Sequence, residues 1–283
     1  MSVVAAKTSD GAWQGSELRW PPRHLLFGVP VSATTYEEAE FAVVAAARAR
    51  RPTVVNAMAV HALADAAQRA DVGRAIAECE IIAPDGQPVR WALNILHGAR
   101  LRDRVYGPEL MRRLCARAAQ DGIPIYLYGS TEEVLQALRQ NLLVRFPLLR
   151  IAGIESPPFR PLTSAEDREV IERIAASGAE IVFIGLGAPK QELFAAQHKE
   201  RIRAVQVCVG AAFDFLAGTK PMAPRWMQAR GLEWLFRLAS EPRRLWRRYL
   251  VSNSWFIGRL GVEFLRRLSS RNDTAVADEG KLR

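Results

Sequence analysis

Short apolar runs alternate with longer amphipathic stretches along most of this chain. The predicted strands, each rich in β-branched or aromatic residues, are 53–56, 80–83, 123–128, 180–185 and 204–209. The predicted helices are 34–51, 58–70, 88–97, 108–121, one opening after Thr131, 164–177 and one beginning near Lys190. Strict alternation of strands and helices predicts an α/β fold.

The predicted strands are apolar almost throughout, as in strands that are buried on both faces. We therefore expect a Rossmann-like, mostly parallel sheet with helices on both faces. Past residue 221 the strands stop, and two helical stretches, 228–240 and 243–268, mix Arg with Trp, Phe, Tyr and Leu. The predicted organisation is a lead-in over 1–24, an α/β domain over 25–221, a C-terminal helical appendage over 222–272 and a disordered tail over 273–283.

Charge separates the appendage from the rest of the chain. Residues 222–272 hold eleven Arg and three Glu, a net charge of +8, whereas the remainder holds 28 basic and 27 acidic residues. A localised basic segment indicates an anionic partner, which is phosphate, nucleic acid or anionic lipid. Arg interleaved with aromatic residues on helices favours a membrane surface, although a solvated basic face or an ordinary packed helix remain alternatives.

The cysteines and the N-terminus indicate the compartment. Cys79, Cys115 and Cys208 are far apart and form no C-x-x-C pair, so neither a zinc site nor a redox motif is predicted. Residues 1–22 lack the apolar segment of a signal peptide, and no uncharged apolar run reaches 18 residues. These features predict a chain without a transmembrane helix in a reducing cytoplasm.

Two candidate site segments follow predicted strands, where ligands bind in parallel sheets. Asp85 follows one strand and could accept a proton from a hydroxyl, or could simply form an Asp-Gly turn. The loop 185–192 could bring glycine backbone, Lys190 and Gln191 to a phosphate or sugar, or could be a tight strand-to-helix turn. It departs from the G-x-G-x-x-G dinucleotide motif, because Lys190 stands at the last position.

Three arginines of the appendage form the third candidate. Arg237, Arg244 and Arg247 are spaced by seven and three residues, which places them on one face of a continuous helix. Pro242 could instead break the helix between the first two. Guanidinium groups bind phosphate oxygens in pairs, so the set suits a diphosphate. The scattered histidines and the lack of a D-x-D triplet predict no metal site, and we expect no cofactor.

Four blocks together resemble one enzyme family. In chain order they are A-P-D-G at 83–86, R-V-Y-G-P-E-L at 104–110, G-L-G-A-P-K-Q-E at 185–192, and G-L-E-W-L-F-R-L leading to E-P-R-R over 231–244. With Asn56 and Arg247 at the margins, the chain resembles the WecG/TagA/CpsF family, glycosyltransferase family 26, over residues 53–248.

The resemblance implies a role for each candidate residue. Asp85 is implied as the general base of an inverting, metal-independent transfer. Asn56, Arg104 and Gln191 are implied in the substrate pocket. Arg237, Arg244 and Arg247 are implied to close over the nucleotide diphosphate.

The resemblance also implies the partners. The donor is a UDP-sugar of the UDP-glucose, UDP-ManNAc or UDP-ManNAcA type, and the acceptor is a polyprenyl-diphosphate-linked sugar in exopolysaccharide or cell-wall polymer biosynthesis. Family members usually carry Thr where this chain has Val54, and Arg where it has Met222, which favours a hexose other than N-acetylmannosamine. The enzyme is expected on the cytoplasmic face of the membrane, held by an anionic surface, with self-association possible.

Two rival functions make distinct predictions. A nicotinamide-dependent oxidoreductase using 185–187 needs an acidic ribose ligand about 20 residues later, yet the strand 204–209 ends at Gly210 without Asp or Glu. A nucleic-acid-binding module would use the basic appendage for salt-sensitive contacts. Its many aromatic residues and the lack of a nucleic-acid-binding motif favour the prediction of no nucleic-acid partner.

Overall fold

A computed structural model describes residues 18–279, with side chains described to residue 267 and at 269. The central sheet has six parallel strands in the order β4-β3-β8-β7-β5-β6. They are β3 (Thr53–Met58), β4 (Ile81–Pro84), β5 (Ile125–Gly129), β6 (Ile151–Glu155), β7 (Ile181–Gly185) and β8 (Val205–Cys208). A separate antiparallel hairpin precedes them, formed by β1 (Arg23–Leu26) and β2 (Val29–Ser32).

Helices cover both faces of the sheet, which confirms the predicted α/β architecture. One face carries α1 (Tyr36–Arg48), α5 (Gly107–Asp121), α6 (Glu132–Arg145) and α9 (Ala212–Ala217). The other carries the hairpin together with α2 (Val60–Gln68), α3 (Ala70–Ala77), α4 (Gln87–His97), α7 (Ser164–Ala176) and α8 (Lys190–His198). Successive strand residues point to opposite faces, so each strand contributes to both apolar cores.

The appendage consists of three helices, α10 (Arg225–Ala229), α11 (Glu233–Ser240) and α12 (Pro242–Glu279). The chain breaks between α11 and α12 at Glu241, so the predicted arginines lie on two helices rather than one continuous helix. Phe256 of α12 is buried against Phe27, with the two ring centroids 5.4 Å apart. The long helix is therefore anchored on the α/β domain.

Several features depart from the predicted elements. The strand β6 lies outside the predicted strands. The helix predicted over 58–70 corresponds to α2 alone, because Met58 ends β3 and Arg69 leaves the helical conformation before α3 begins. The hairpin begins at Arg23, inside the predicted lead-in, of which residues 1–17 lie outside the described part of the chain. The helix α12 extends to Glu279 and overlaps the predicted disordered tail, whose residues 280–283 lie outside the described part. Those domain boundaries stay predictions.

Candidate active site

A polar cavity of about 350 Å³ opens at the carboxyl ends of the parallel strands. The loops after β3, β4, β5, β7 and β8 form its walls, and the appendage closes one side. Of the predicted site residues, four line this cavity: Asp85, Gln191, Arg237 and Arg244. Parallel strands bring their carboxyl ends to one edge, which is why residues so distant in sequence meet here.

Asp85 follows β4 and is held by backbone on both sides. Its N–H donates to the carbonyl of Met58 at 3.1 Å, and its Oδ1 accepts a hydrogen bond of 2.6 Å from the N–H of Gly107 at the start of α5. Burial raises the pKa of Asp85, Glu233 raises it further, and Arg104 opposes this shift. A carboxylate whose pKa is raised is a stronger base than an exposed aspartate.

Arg104 forms a buried ion pair with the appendage. Its Nη2 lies 2.6 Å from Oε2 of Glu233, the first residue of α11, and both side chains are about nine-tenths buried. The guanidinium also lies over the ring of Tyr106, 4.1 Å from its centroid. Glu233 is a site residue that the sequence analysis did not select. One signal could have identified it: Glu233 is an acidic residue in an otherwise basic segment, and it lies in the block 231–244 that resembles the family.

The arginines of the appendage contribute unequally to the cavity. Arg237 lies 5.4 Å from the centroid of the Phe215 ring, and Arg244 pairs with Glu241 at 2.6 Å. Both Arg247 and Arg248 are exposed, but only Arg248 lines the cavity. The predicted third arginine and the one that faces the cavity are therefore adjacent positions of α12.

The positive charge of these arginines also affects a histidine of the cavity wall. Burial lowers the pKa of His61 to about 4, and Arg248 and Arg237 add to that effect. His61 is therefore uncharged at neutral pH. It can accept or donate one hydrogen bond but adds no charge to the cavity.

Asn56 lies behind the cavity instead of lining it. It is fully buried in the middle of β3, beside Glu192 of α8. Glu192 does line the cavity and is itself buried. The structure therefore brings Asn56 to the site only through Glu192, which is the second residue that the sequence analysis missed.

An apolar groove of about 510 Å³ meets the polar cavity at Asp85. It lies between α4 and the appendage, and Trp91, Trp234 and Phe256 contribute aromatic rings to its walls. Arg104 and Arg237 stand at the end nearest Asp85. The carboxylate thus lies where a polar space and an apolar space join.

A third cavity, of about 680 Å³, adjoins the polar cavity on its other side. The two share Ser130, Leu186 and Phe159, whose side chain is exposed to 81%. The floor contains the stacked rings of Tyr128 and Phe194, 4.8 Å apart. The exposed ring of Phe159 offers a planar surface to a ligand ring.

The described residues contain neither a metal-binding cluster nor a membrane-spanning helix. No group of three or more His, Cys, Asp or Glu side chains there is arranged to hold a metal ion. No helix in that part of the chain is both long and apolar enough to cross a membrane.

Comparison with known protein families identifies the family of this chain. A family model described as the glycosyl transferase WecG/TagA/CpsF family matches residues 24–270, nearly the whole chain. The match includes the α/β domain, Asp85, the loop 185–192 and most of the appendage. The chain therefore belongs to the WecG/TagA/CpsF family and is a glycosyltransferase.

Proposed function

We propose that this glycosyltransferase transfers a hexosyl group from a UDP-sugar to a polyprenyl-diphosphate-linked sugar with inversion of the anomeric centre. The observation that carries the proposal is the position of Asp85 at the junction of the polar cavity and the apolar groove. A donor in the cavity and a lipid-linked acceptor in the groove would meet at this carboxylate.

The proposed chemical step is a single displacement. The acceptor hydroxyl oxygen bonds to the anomeric carbon while the bond from that carbon to the diphosphate oxygen breaks. Asp85 takes the hydroxyl proton, and UDP leaves with the bonding electron pair. Attack on the face opposite the leaving group inverts the configuration. The raised pKa of Asp85 suits it to accept this proton.

The arginines of the appendage are proposed to bind the diphosphate. Negative charge grows on the leaving UDP, and Arg237, Arg244 and Arg248 line the cavity where that charge would lie. Guanidinium groups bind phosphate oxygens through charge-assisted, often bidentate, hydrogen bonds. Transfer without a metal ion is part of the proposal. The adjoining aromatic cavity is proposed to hold the nucleoside.

The apolar groove is proposed to take the first isoprene units of the acceptor. Its walls run along α12, whose outer surface carries exposed Val251 and Leu265 among arginines. Such a helix suits the surface of an anionic membrane. The proposed location is therefore peripheral, on the cytoplasmic face of the membrane, in exopolysaccharide or cell-wall polymer biosynthesis. Self-association that competes with docking of the appendage is also part of the proposal.

The test is release of UDP from a panel of donors. Purified protein is incubated with an undecaprenyl-diphosphate-sugar mimic and with UDP-glucose, UDP-ManNAc or UDP-ManNAcA, with EDTA present. Acceptor-dependent UDP release from one donor, abolished in Asp85→Asn, is the expected result. Activity that disappears with EDTA and returns with a divalent cation would contradict metal independence, and full activity of the variant would remove Asp85 as the base.

A further inference from the structure

Four buried polar side chains form a cluster behind the polar cavity. Asn56 comes from β3, Gln206 from β8, and Gln191 and Glu192 from the first turn of α8. Each is at least nine-tenths buried, and Glu192 is only 1% exposed. Buried polar groups are normally hydrogen-bonded, so a cluster of this kind in an apolar layer points to a function.

The cluster satisfies only part of its hydrogen-bonding capacity. Gln191 Nε2 donates to Glu192 Oε1 at 3.1 Å, and Gln206 Nε2 donates to the carbonyl of Ala195 at 3.3 Å. Five atoms have no protein partner among the described residues: Oδ1 and Nδ2 of Asn56, Oε1 of Gln191, Oε2 of Glu192 and Oε1 of Gln206.

The hydrogen bond within the cluster determines which atom Gln191 can offer to a ligand. Because Nε2 is engaged by Glu192, the free atom is Oε1, an acceptor. It lies beside Gly210, 3.3 Å from the position that a Cβ there would occupy, and both Gln191 and Glu192 line the polar cavity with Asp85. A buried acceptor needs a donor, which sugar hydroxyls supply and ionised phosphate oxygens do not.

Among the described residues, Glu192 forms no ion pair with a basic side chain that would stabilise a negative charge. Burial raises its pKa and Asp65 adds to that effect, whereas a backbone N–H in the first turn of α8, the hydrogen bond from Gln191 and the nearby Asn56 amide oppose it. The thiols of Cys79 and Cys208 are its other titratable neighbours, and burial keeps both protonated. A buried carboxyl group without a cationic partner is protonated more readily than an exposed one.

We propose that Glu192 is an uncharged positioning residue that, with Asn56, fixes the Gln191 amide so that its Oε1 accepts a hydrogen bond from a hydroxyl of the donor sugar. This inference rests on the proposed function. Glu192 does not touch the reacting atoms. In this proposal, Oε1 of Glu192 accepts the hydrogen bond from Gln191. The proton of Glu192 is on Oε2, on the side of the Asn56 amide. This arrangement also explains how Asn56 affects a cavity that it does not line.

The kinetic test compares two replacements of one side chain. Glu192→Leu removes the contact to Gln191, and we expect the KM for the UDP-sugar to rise roughly tenfold, the loss of one hydrogen bond. The Kd for UDP alone, measured by calorimetry, should change less than twofold because UDP lacks the sugar. Glu192→Gln keeps an uncharged side chain with an acceptor oxygen, so its KM for the UDP-sugar should lie much closer to the wild-type value than that of Glu192→Leu. Glu172→Gln, on the exposed side of α7, is the matched control.

Two results would overturn the inference. If Glu192→Gln is as impaired as Glu192→Leu while remaining folded, the working form is the carboxylate. If UDP and UDP-sugar affinities fall together, the residue supports the whole cavity instead of the sugar contact. Thermal unfolding of each variant identifies a simple folding defect.

A spectroscopic measurement separates this inference from the proposed function. In the infrared spectrum at neutral pH, a protonated carboxyl group gives a carbonyl band distinct from that of carboxylates. We expect a band that Glu192→Gln removes and Glu172→Gln retains, with Asp85→Asn recorded separately to assign any contribution of Asp85. A wild-type protein that transfers no sugar would refute the proposed function, whereas the absence of the Glu192 band would refute the inference whatever the activity.

Discussion

Glu233 of the appendage neutralises Arg104 of the α/β domain across a distance of 2.6 Å, and this pair stands next to Asp85. The appendage therefore influences the proposed base through charge, in addition to closing the cavity. Arg104 lowers the pKa of Asp85, and Glu233 raises it. Docking of α11 thus brings two opposite charges to Asp85: Glu233 raises its pKa, and Arg237 lowers it to a smaller extent.

The first prediction concerns the pH dependence of transfer. Activity needs ionised Asp85, so the acidic limb of the kcat/KM profile follows its pKa in the free enzyme. Glu233→Gln removes a charge that raises this pKa, and the limb should move to lower pH. Arg104→Met removes a charge that lowers it, and the limb should move to higher pH. Shifts in the opposite directions would mean that another group governs the limb.

Stability provides an independent check on the pair. Leaving Arg104 buried without its partner in Glu233→Gln should lower the free energy of unfolding by about 3 kcal/mol, a cost typical of a broken buried ion pair. Glu263→Gln removes an equal charge from an exposed pair on α12, at 3.8 Å from Arg266, and should cost less than about 1 kcal/mol. Equal losses in urea unfolding would show that burial of the pair has no energetic weight.

The second prediction concerns Asp85 itself. Replacement by Asn should lower kcat by roughly 10²–10⁴-fold, the usual contribution of a general base. The same change should stabilise the protein at neutral pH. Because the folded pKa is raised, the native state keeps a proton that the unfolded chain releases, so stability is lost as pH rises above the unfolded pKa. Asn has no such loss.

Thermal unfolding against pH tests that sign. The gain in Tm of Asp85→Asn should vanish below the unfolded pKa of aspartate, where both states of the wild type are protonated. A gain that grows towards acidic pH would contradict a raised pKa. Retained UDP binding in the variant would confirm that its cavity is intact.

The third prediction distinguishes two adjacent arginines. Arg248 lines the cavity and Arg247 does not. Arg248→Ala should lower kcat/KM by roughly ten- to a hundredfold, as expected for the loss of a charge-assisted phosphate contact of about 1.5–3 kcal/mol. Arg247→Ala, which changes the net charge equally, should cost less than about threefold at a soluble acceptor. A larger loss of kcat/KM in Arg247→Ala than in Arg248→Ala would support Arg247, the arginine that the sequence resemblance implied.

The main strands of the parallel sheet and two residues of the candidate site could be predicted from the sequence. The parallel sheet and its strands followed from apolar runs, because strands buried on both faces carry that signal strongly. Asp85 and Gln191 could be selected because both follow such strands. The edge strand β6 and the hairpin β1-β2 were missed, since half-exposed short strands have no clear period.

The remaining site features depend on three-dimensional arrangement. Selecting Arg248 over Arg247 requires the rotation of α12, which a break at Glu241 sets independently of α11. The pairing of Glu233 with Arg104 spans 129 positions and has no local signal. The resemblance places Asn56 in the pocket. Only the packing of α8 on β3 shows that Glu192 lies between Asn56 and the polar cavity.

The fourth prediction concerns how α12 is held. Phe27 of the hairpin meets Phe256 edge-on, and the ring of Trp255 lies 5.6 Å away. Phe256→Ala should cost about 3–5 kcal/mol through cavity formation. Since α12 also carries Arg244 and Arg248, transfer should fall along with stability. Hydrogen exchange should increase first in α12. Unchanged exchange there would mean that other contacts hold the helix.

The fifth prediction concerns the outer surface of α12. Val251 and Leu265 are exposed to 65% and 62% and, fourteen positions apart, lie on one face of the helix. Replacing both by Glu should reduce binding to anionic vesicles at least tenfold. The substitution removes two apolar contacts with the membrane. The new carboxylates also repel the anionic lipid, to which each basic residue near the surface contributes about 1 kcal/mol of attraction. Activity on a water-soluble acceptor should persist.

A matched pair of substitutions isolates this surface from net charge. Val144 and Leu148, both exposed to 77% at the end of α6 and just beyond it, take the same two changes to Glu. If the membrane meets α12, this control binds anionic vesicles nearly as well as the wild type, and binding weakens with salt because charge contributes to it. If both double variants lose binding equally, net charge alone explains attachment and α12 is not the docking surface. Vesicle co-sedimentation at two salt concentrations decides between these outcomes.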